Sequence, residues 1–184
     1  MLDMNWALAD ISVALADCLV EHTAKPSGAV RLIQTDSRHV GEGDLFVCLK
    51  GERFDAHDFA LQVVQAGACA LVTDRVLDID VPQWVVKDTR LALGVLGSAW
   101  RQRFDLKVLA VVGSNGKTTS KEMLGSICKA QYGADHVLVT AGNLNNDIGV
   151  PQTLLKLRKQ HTIAVIEMGM NHPGEIDYLA GLVK

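Results

Sequence analysis

The chain has 184 residues, a formal net charge of −3 at pH 7 and 48% hydrophobic residues. That is enough apolar material for one large or two small cored domains, and the mild acidity argues against a nucleic-acid or anionic-membrane partner held by bulk electrostatics. No uncharged apolar run approaches the ~18 residues of a membrane span. The early Asp3, Asp10 and Asp17, without a basic residue, do not read as a signal peptide. Cys18, Cys48, Cys69 and Cys128 form no C-x-x-C pair and read as buried, reduced thiols of a cytosolic protein.

In chain order, residues 6–19 place Leu8, Ile11, Leu15, Cys18 and Leu19 on one helical face, which predicts an opening helix. Lys25-Pro26-Ser27-Gly28 ends it. Strands are expected over 29–33 and 45–49, with Thr35-Asp36-Ser37-Arg38 and the turn Gly41-Glu42-Gly43-Asp44 between them. A polar loop, 51–57, leads to a helix from a cap at Asp58 to Gln65. Short strands at 70–73 and 83–86 complete a small α/β unit, residues 1–87. A helix over 89–103 opens the second part, residues 88–184.

The second part is organised around Val108-Leu109-Ala110-Val111-Val112-Gly113-Ser114-Asn115-Gly116-Lys117-Thr118-Thr119. Its order is buried strand, glycine-bounded turn, then a helix to about Ala130, the layout of a P-loop. Phosphate oxygens need several converging backbone N–H donors, which a side-chain-poor loop allows, and the positive end of the following helix faces the same anion. Gly113 to Thr119 is therefore the candidate ATP-binding segment, with Lys117 as a charge for the β/γ-phosphates and the Thr118 hydroxyl as a Mg²⁺ ligand. Val111 stands where the general G-x-x-x-x-G-K-[ST] pattern has glycine, so the loop is a short form.

A strand over 136–139 then feeds the Asn-rich loop 140–149, and Pro151 starts a helix to Leu157. The buried strand 162–166 ends in Glu167, and a final helix runs from Pro173-Gly174-Glu175 to Lys184. Strands alternating with helices predict an α/β fold with a parallel, doubly wound sheet. After the P-loop only two further strands follow, so the chain reads as the front portion of a longer enzyme.

Glu167 is the first charge after a buried strand, at the end where open α/β sheets bind ligands, and is a candidate Mg²⁺ ligand beside Thr118; the bland alternative is a solvated strand-end carboxylate. The carboxamides of the Asn-rich loop can bind an anionic intermediate or simply make turns. Ser37 and Arg38 form either a turn with a solvated arginine or a diphosphate or uracil contact. His57 is either a ligand contact or structural, and His172 feeds a helix without assigned chemistry.

Gly113-Ser114-Asn115-Gly116-Lys117-Thr118-Thr119 resembles the short P-loop of the Mur ligase family, ATP-dependent amide-bond-forming enzymes of peptidoglycan precursor synthesis. Four further stretches are similar to the branch that joins D-alanyl-D-alanine to a UDP-N-acetylmuramoyl-tripeptide: Thr35 to Arg38 with Gly43 to Val47, Gly142 to Pro151, Val165 to Asn171, and His172 to Ile176.

The resemblance implies a UDP-substrate-binding domain at 1–87, with Ser37 and Arg38 on the UDP face. It also implies the first part of a parallel-sheet ATPase domain at 88–184, with Asn143 and Asn146 near the γ-phosphate and the substrate carboxylate. The remainder of that domain and a third domain would lie outside the chain. The implied reaction uses ATP and Mg²⁺, with Lys117, Asn143 and Asn146 as catalytic residues. ATP would phosphorylate the tripeptide carboxylate and the amine of D-alanyl-D-alanine would displace phosphate. The implied enzyme is a cytoplasmic monomer, and this chain alone would not ligate. The alternatives are another Mur-type or folylpolyglutamate-type ligase, or a non-catalytic P-loop interaction module.

Overall fold

The structure is a computed structural model that describes residues 3–23, 27–51 and 54–184. Lys25 and Pro26 of the expected helix break, and Glu52 and Arg53 of the polar loop, lie outside the described residues. The chain divides into two compact units, Met1–Ala92 and Leu93–Lys184.

In the first unit, β1 (Trp6–Ala7) pairs antiparallel with β3 (Ala29–Val30). Between them lie α1 (Leu8–Ala14) and β2 (Leu19–His22). The opening helix is thus shorter than its apolar spacing predicted: Leu8, Ile11 and Leu15 are buried as expected, but Leu19 belongs to a strand. The expected 29–33 strand is two pieces, β3 and β4 (Ile33–Gln34).

The unit's main sheet has the order β2-β7-β6-β5-β4. Here β5 is Leu45–Val47, β6 is Ala70–Thr73 and β7 is Gln83–Val86. The last four strands of that order run parallel and β2 joins β7 antiparallel at one edge. Every residue of β5, β6 and β7 is buried, as an apolar run covered on both faces requires. The turn before α2 (Ala60–Gln65) is a 3₁₀ segment, Ala56–Phe59, capped by Asp55, whose Oδ1 accepts the His57 N–H at 3.0 Å. The cap is therefore Asp55 and not Asp58, because the tighter turn begins three residues earlier.

Helix α3 (Thr89–Arg101) follows, with Asp88 Oδ1 accepting the Arg90 and Leu91 N–H groups at 2.7 and 3.1 Å. The second unit holds a parallel sheet of order β8-β10-β9, with β8 at Lys107–Val111, β9 at Val137–Val139 and β10 at Ile163–Glu167. α4 (Lys117–Tyr132) packs on β9 and β10, with Val111, Cys128, Val137, Ile163 and Val165 forming one core cluster. Gly125 makes this approach possible: a Cβ there would stand 3.0 Å from Val139 Cγ2.

β10 is buried at all five positions because it is the central strand. β8 is an edge strand, and Lys107, Leu109 and Ala110 are exposed, so the strand entering the P-loop is not the buried one its sequence predicted. Among the described residues β8 pairs with β10 alone, and its side chains are exposed where no element of the chain covers the face they point to.

α5 (Gly149–Leu154) starts two residues before Pro151, which sits in the first turn where a missing N–H costs no helical bond. α6 (Glu175–Leu182) closes the chain. Among the described residues no helix is long and apolar enough to cross a membrane. All four cysteines are free; Cys48 and Cys128 are buried, while Cys18 and Cys69 are half-buried.

Candidate functional site

The C-terminal ends of β8 and β10 lie side by side, with Glu167 paired in register to Val111. The loop from Val112 to Gly116 leaves β8 and turns into α4 through Gly116, which has φ 73° and ψ 5°. That is left-handed backbone, open to glycine without the penalty a Cβ would bring. Ser120 N–H donates to Gly116 O at 2.9 Å, the first bond of the helix, so the N–H groups of Lys117, Thr118 and Thr119 have no partner within it. They form the positive end of a 16-residue helix. Lys117 Nζ folds back to donate to Gly113 O at 2.8 Å, which holds the ammonium over the loop.

Glu167 is 1% exposed. Its Oε1 accepts Asn145 Nδ2 at 2.8 Å and Thr118 Oγ1 at 3.4 Å. Its N–H donates to Thr140 Oγ1 at 2.9 Å, and its Oε2 is buried with no hydrogen-bond partner. An ionised oxygen buried without a donor is costly. One carboxylate oxygen held by protein and the other left without a donor, together with the Thr118 hydroxyl, is a hard-oxygen donor set suited to Mg²⁺.

The loop after β9 carries the carboxamides. Asn146 Oδ1 accepts Gly149 N–H at 2.8 Å and Ile148 N–H at 3.3 Å, which shapes the entry to α5. Gly149 lies against the Leu144 backbone so closely that a Cβ there would clash. Asn143 O accepts Asn145 N–H at 2.8 Å, and Gly169 N–H donates to Asn145 O at 2.7 Å. Asn145 is thus the carboxamide that reaches Glu167, and sequence reasoning singled out only its neighbours. Turn composition alone does not distinguish three asparagines; the close approach of Gly169, whose Cβ would be 3.1 Å from Asn145 Cγ, does.

In the first unit, Ser37 begins a 3₁₀ turn, Ser37–His39, just beyond the C-terminal end of β4. Arg38 is exposed and closes on Asp36 through Nε–Oδ1 at 2.9 Å and Nη2–Oδ2 at 2.6 Å. Hydrogen bonds from Arg38 hold the Asp36 carboxyl well below the usual carboxylate range. His57 has a fully buried side chain. Its Nε2 accepts the Asp74 N–H at 3.1 Å and its Nδ1 faces Asp55 Oδ1. Arg75 bridges Asp55 and Asp74 at 3.2 and 2.8 Å. His57 therefore ties the 3₁₀ turn to the end of β6, which is the structural alternative.

The model of the Mur ligase family catalytic domain matches residues 29–132, and that of the Mur ligase middle domain matches residues 111–184. The chain belongs to the Mur ligase family. The Escherichia coli K12 UDP-N-acetylmuramoyl-tripeptide–D-alanyl-D-alanine ligase is 55% identical over 152 residues, covering 83% of the chain and 33% of that protein. The Synechocystis protein of the same name is 43% identical across the whole chain and 40% of its own length.

Among solved structures, MurF from Acinetobacter baumannii aligns over the whole chain with a TM-score of 0.90 and 47% identity, covering 40% of that chain. MurF from Thermotoga maritima, in complex with ADP, aligns over 83% of the chain at a TM-score of 0.74 and 35% identity, covering 35% of that protein. This Mur ligase chain thus spans a third to two-fifths of the relatives it matches. The α/β architecture with a P-loop parallel sheet is shared with those structures.

Proposed function

We propose that this chain supplies the UDP-substrate and ATP-phosphate parts of a cytoplasmic, monomeric ligase that joins D-alanyl-D-alanine to a UDP-N-acetylmuramoyl-tripeptide. The observation that carries this reading is the Thr118–Glu167–Asn145 cluster at the mouth of the P-loop, with an open oxygen on Glu167. Two kinds of relative support the substrate assignment: those bearing that enzyme's name, and a solved neighbour holding ADP.

A carboxylate is a poor electrophile towards an amine, and phosphorylation by ATP gives it a leaving group. Lys117 leaves Gly113 O and moves to the β/γ-phosphates, where its charge offsets the negative charge spreading over the transferring phosphoryl. The free N–H groups of the first turn of α4 hold the phosphate oxygens. Thr118 and the unpaired Glu167 oxygen would hold Mg²⁺, which when bound would offset the negative charge of the phosphate oxygens. Asn145 holds one oxygen of the Glu167 carboxylate and leaves the other, buried beside it, without a protein donor.

Asn143 and Asn146 lie on the same loop and contact the γ-phosphate and the tripeptide carboxylate. The amine of D-alanyl-D-alanine then attacks the acyl phosphate and phosphate departs. Ser37 and Arg38 belong to the UDP face of the first unit, residues 1–87, with 88–184 as the start of the ATPase domain.

The test is ADP release by the protein from the full reading frame that contains these residues. Release that requires ATP, UDP-N-acetylmuramoyl-tripeptide and D-alanyl-D-alanine together is expected; release independent of the dipeptide would refute the reading. The 184-residue chain by itself should give background release.

A further inference from the structure

Lys121 is wholly buried on α4, one helical turn beyond Lys117. Lysine is almost never fully buried unless paired. Its Nζ donates to Thr140 O at 3.0 Å and to Gly142 O at 3.4 Å, and pairs with Glu122 Oε1 at 2.7 Å. Both carbonyls belong to the start of the Asn-rich loop. Filling space under a helix is done at lower desolvation cost by an apolar side chain, so the ammonium calls for a reason beyond packing.

That reason lies in what the two carbonyls are attached to. Thr140, held through its carbonyl, offers its hydroxyl oxygen to the Glu167 N–H at 2.9 Å. Gly142 leads within three residues to Asn145, whose amide grips Glu167 Oε1 at 2.8 Å. Both threads leave one ammonium and end on Glu167, one at its main-chain N–H and one at its carboxylate. The helix that carries the ammonium also carries Thr118, the other group on Glu167 Oε1.

We infer that Lys121 is a positioning residue for the metal–nucleotide site: it locks the 140–145 loop to the P-loop helix and so fixes the direction of the open Glu167 oxygen. The inference rests on the ATP and Mg²⁺ reading above. Groups that orient a metal ligand typically change metal affinity 10–100-fold when removed. Lys121→Met keeps the length of the side chain and loses the donors; Lys121→Gln keeps a neutral donor for the carbonyls.

The experiment measures, on the full-length protein, the Mg²⁺ dependence of ADP release and of ADP binding by calorimetry, with circular dichroism as the check on folding. Lys121→Met is expected to raise the Mg²⁺ concentration for half-maximal rate by about 10-fold. Lys121→Gln should recover part of that, and Lys121→Met should add little when Asn145→Ala is already present. Folded Lys121→Met with unchanged Mg²⁺ dependence overturns the inference, as does full additivity with Asn145→Ala. Failure of both variants to fold also overturns it, since Lys121 would then be a determinant of the fold. Wild-type protein that neither binds ADP with Mg²⁺ nor releases ADP would instead remove the underlying ligase reading, and the inference with it.

Discussion

Replacing Glu167 by glutamine separates what the folded protein needs from what the metal needs. The carboxylate makes two side-chain hydrogen bonds through Oε1 and none through the buried Oε2. In Glu167→Gln the amide oxygen can occupy the Oε1 position and still accept from Asn145 and Thr118. Each bond to a charged acceptor is worth about 1.5–3 kcal/mol and to a neutral one about 0.5–1.5, so the exchange costs roughly 2 kcal/mol. Against this, a buried carboxylate oxygen without a donor no longer has to be desolvated, a gain that offsets both this loss and the cost, about 1–3 kcal/mol, of the amide N–H₂ placed there without an acceptor.

The stability of the metal-free protein is therefore expected to change by less than about 1 kcal/mol in urea unfolding. At the Oε2 position, however, the amide places two N–H donors where a cation would sit. Mg²⁺ affinity is expected to fall by about 100-fold or more, the upper end of what outer-sphere changes cause, equal to about 2.8 kcal/mol at 1.4 per decade. Calorimetric titration of ADP at several Mg²⁺ concentrations, with parallel urea melts, tests both halves. A Glu167→Gln protein that binds Mg²⁺–ADP like wild type would refute the metal assignment. One destabilised by several kcal/mol in the absence of metal would show that the carboxylate serves the fold.

Lys117→Ala should lower kcat by on the order of 10²-fold or more in the ADP-release assay, as for loss of a preorganised charge stabiliser. UDP-N-acetylmuramoyl-tripeptide at about 100 times its Kd should stabilise the first unit by roughly 2.7 kcal/mol, and Arg38→Ala should diminish that shift. Burial raises the Asp55 pKa, but hydrogen bonds from the His57 N–H, the His57 ring and Arg75 more than offset it and leave it at about 2. Stability from that depressed pKa is present above the unfolded value of about 3.9. It is lost as pH falls from there through about 2, so urea midpoints should drop over that window and drop less in Asp55→Asn. Leu154→Ala, at a wholly buried position, should cost about 2–5 kcal/mol in the same melts.

Much of this molecule could be read from local signals. β6 and β7 fall at their predicted positions because each is a short apolar run between turn residues, and α4 starts at Lys117 because the glycine-bounded loop leaves it nowhere else to start. The pairing of β2 was not legible: Leu19 continues the apolar spacing of α1, and only the distant β7 makes its segment a strand. The exposure of β8 depends on what covers the two faces of its sheet, which its own five residues do not encode. At the site, Lys117, Thr118 and Glu167 carry recognisable positions relative to a strand or loop. Asn145 and Lys121 do not, because each acquires its partner from a segment more than eighteen residues away.

The fold-back of Lys117 onto Gly113 O gives the loop a cation of its own. A long flexible side chain that already sits over the cradle has surrendered much of its freedom before any nucleotide arrives. On the ligase reading proposed above, anion entry would exchange one acceptor for another at the same ammonium, and departure of the product would return the tether. The loop is in this sense self-templated, and a guanidinium, with its flat and wider fork, would not coil back in the same way.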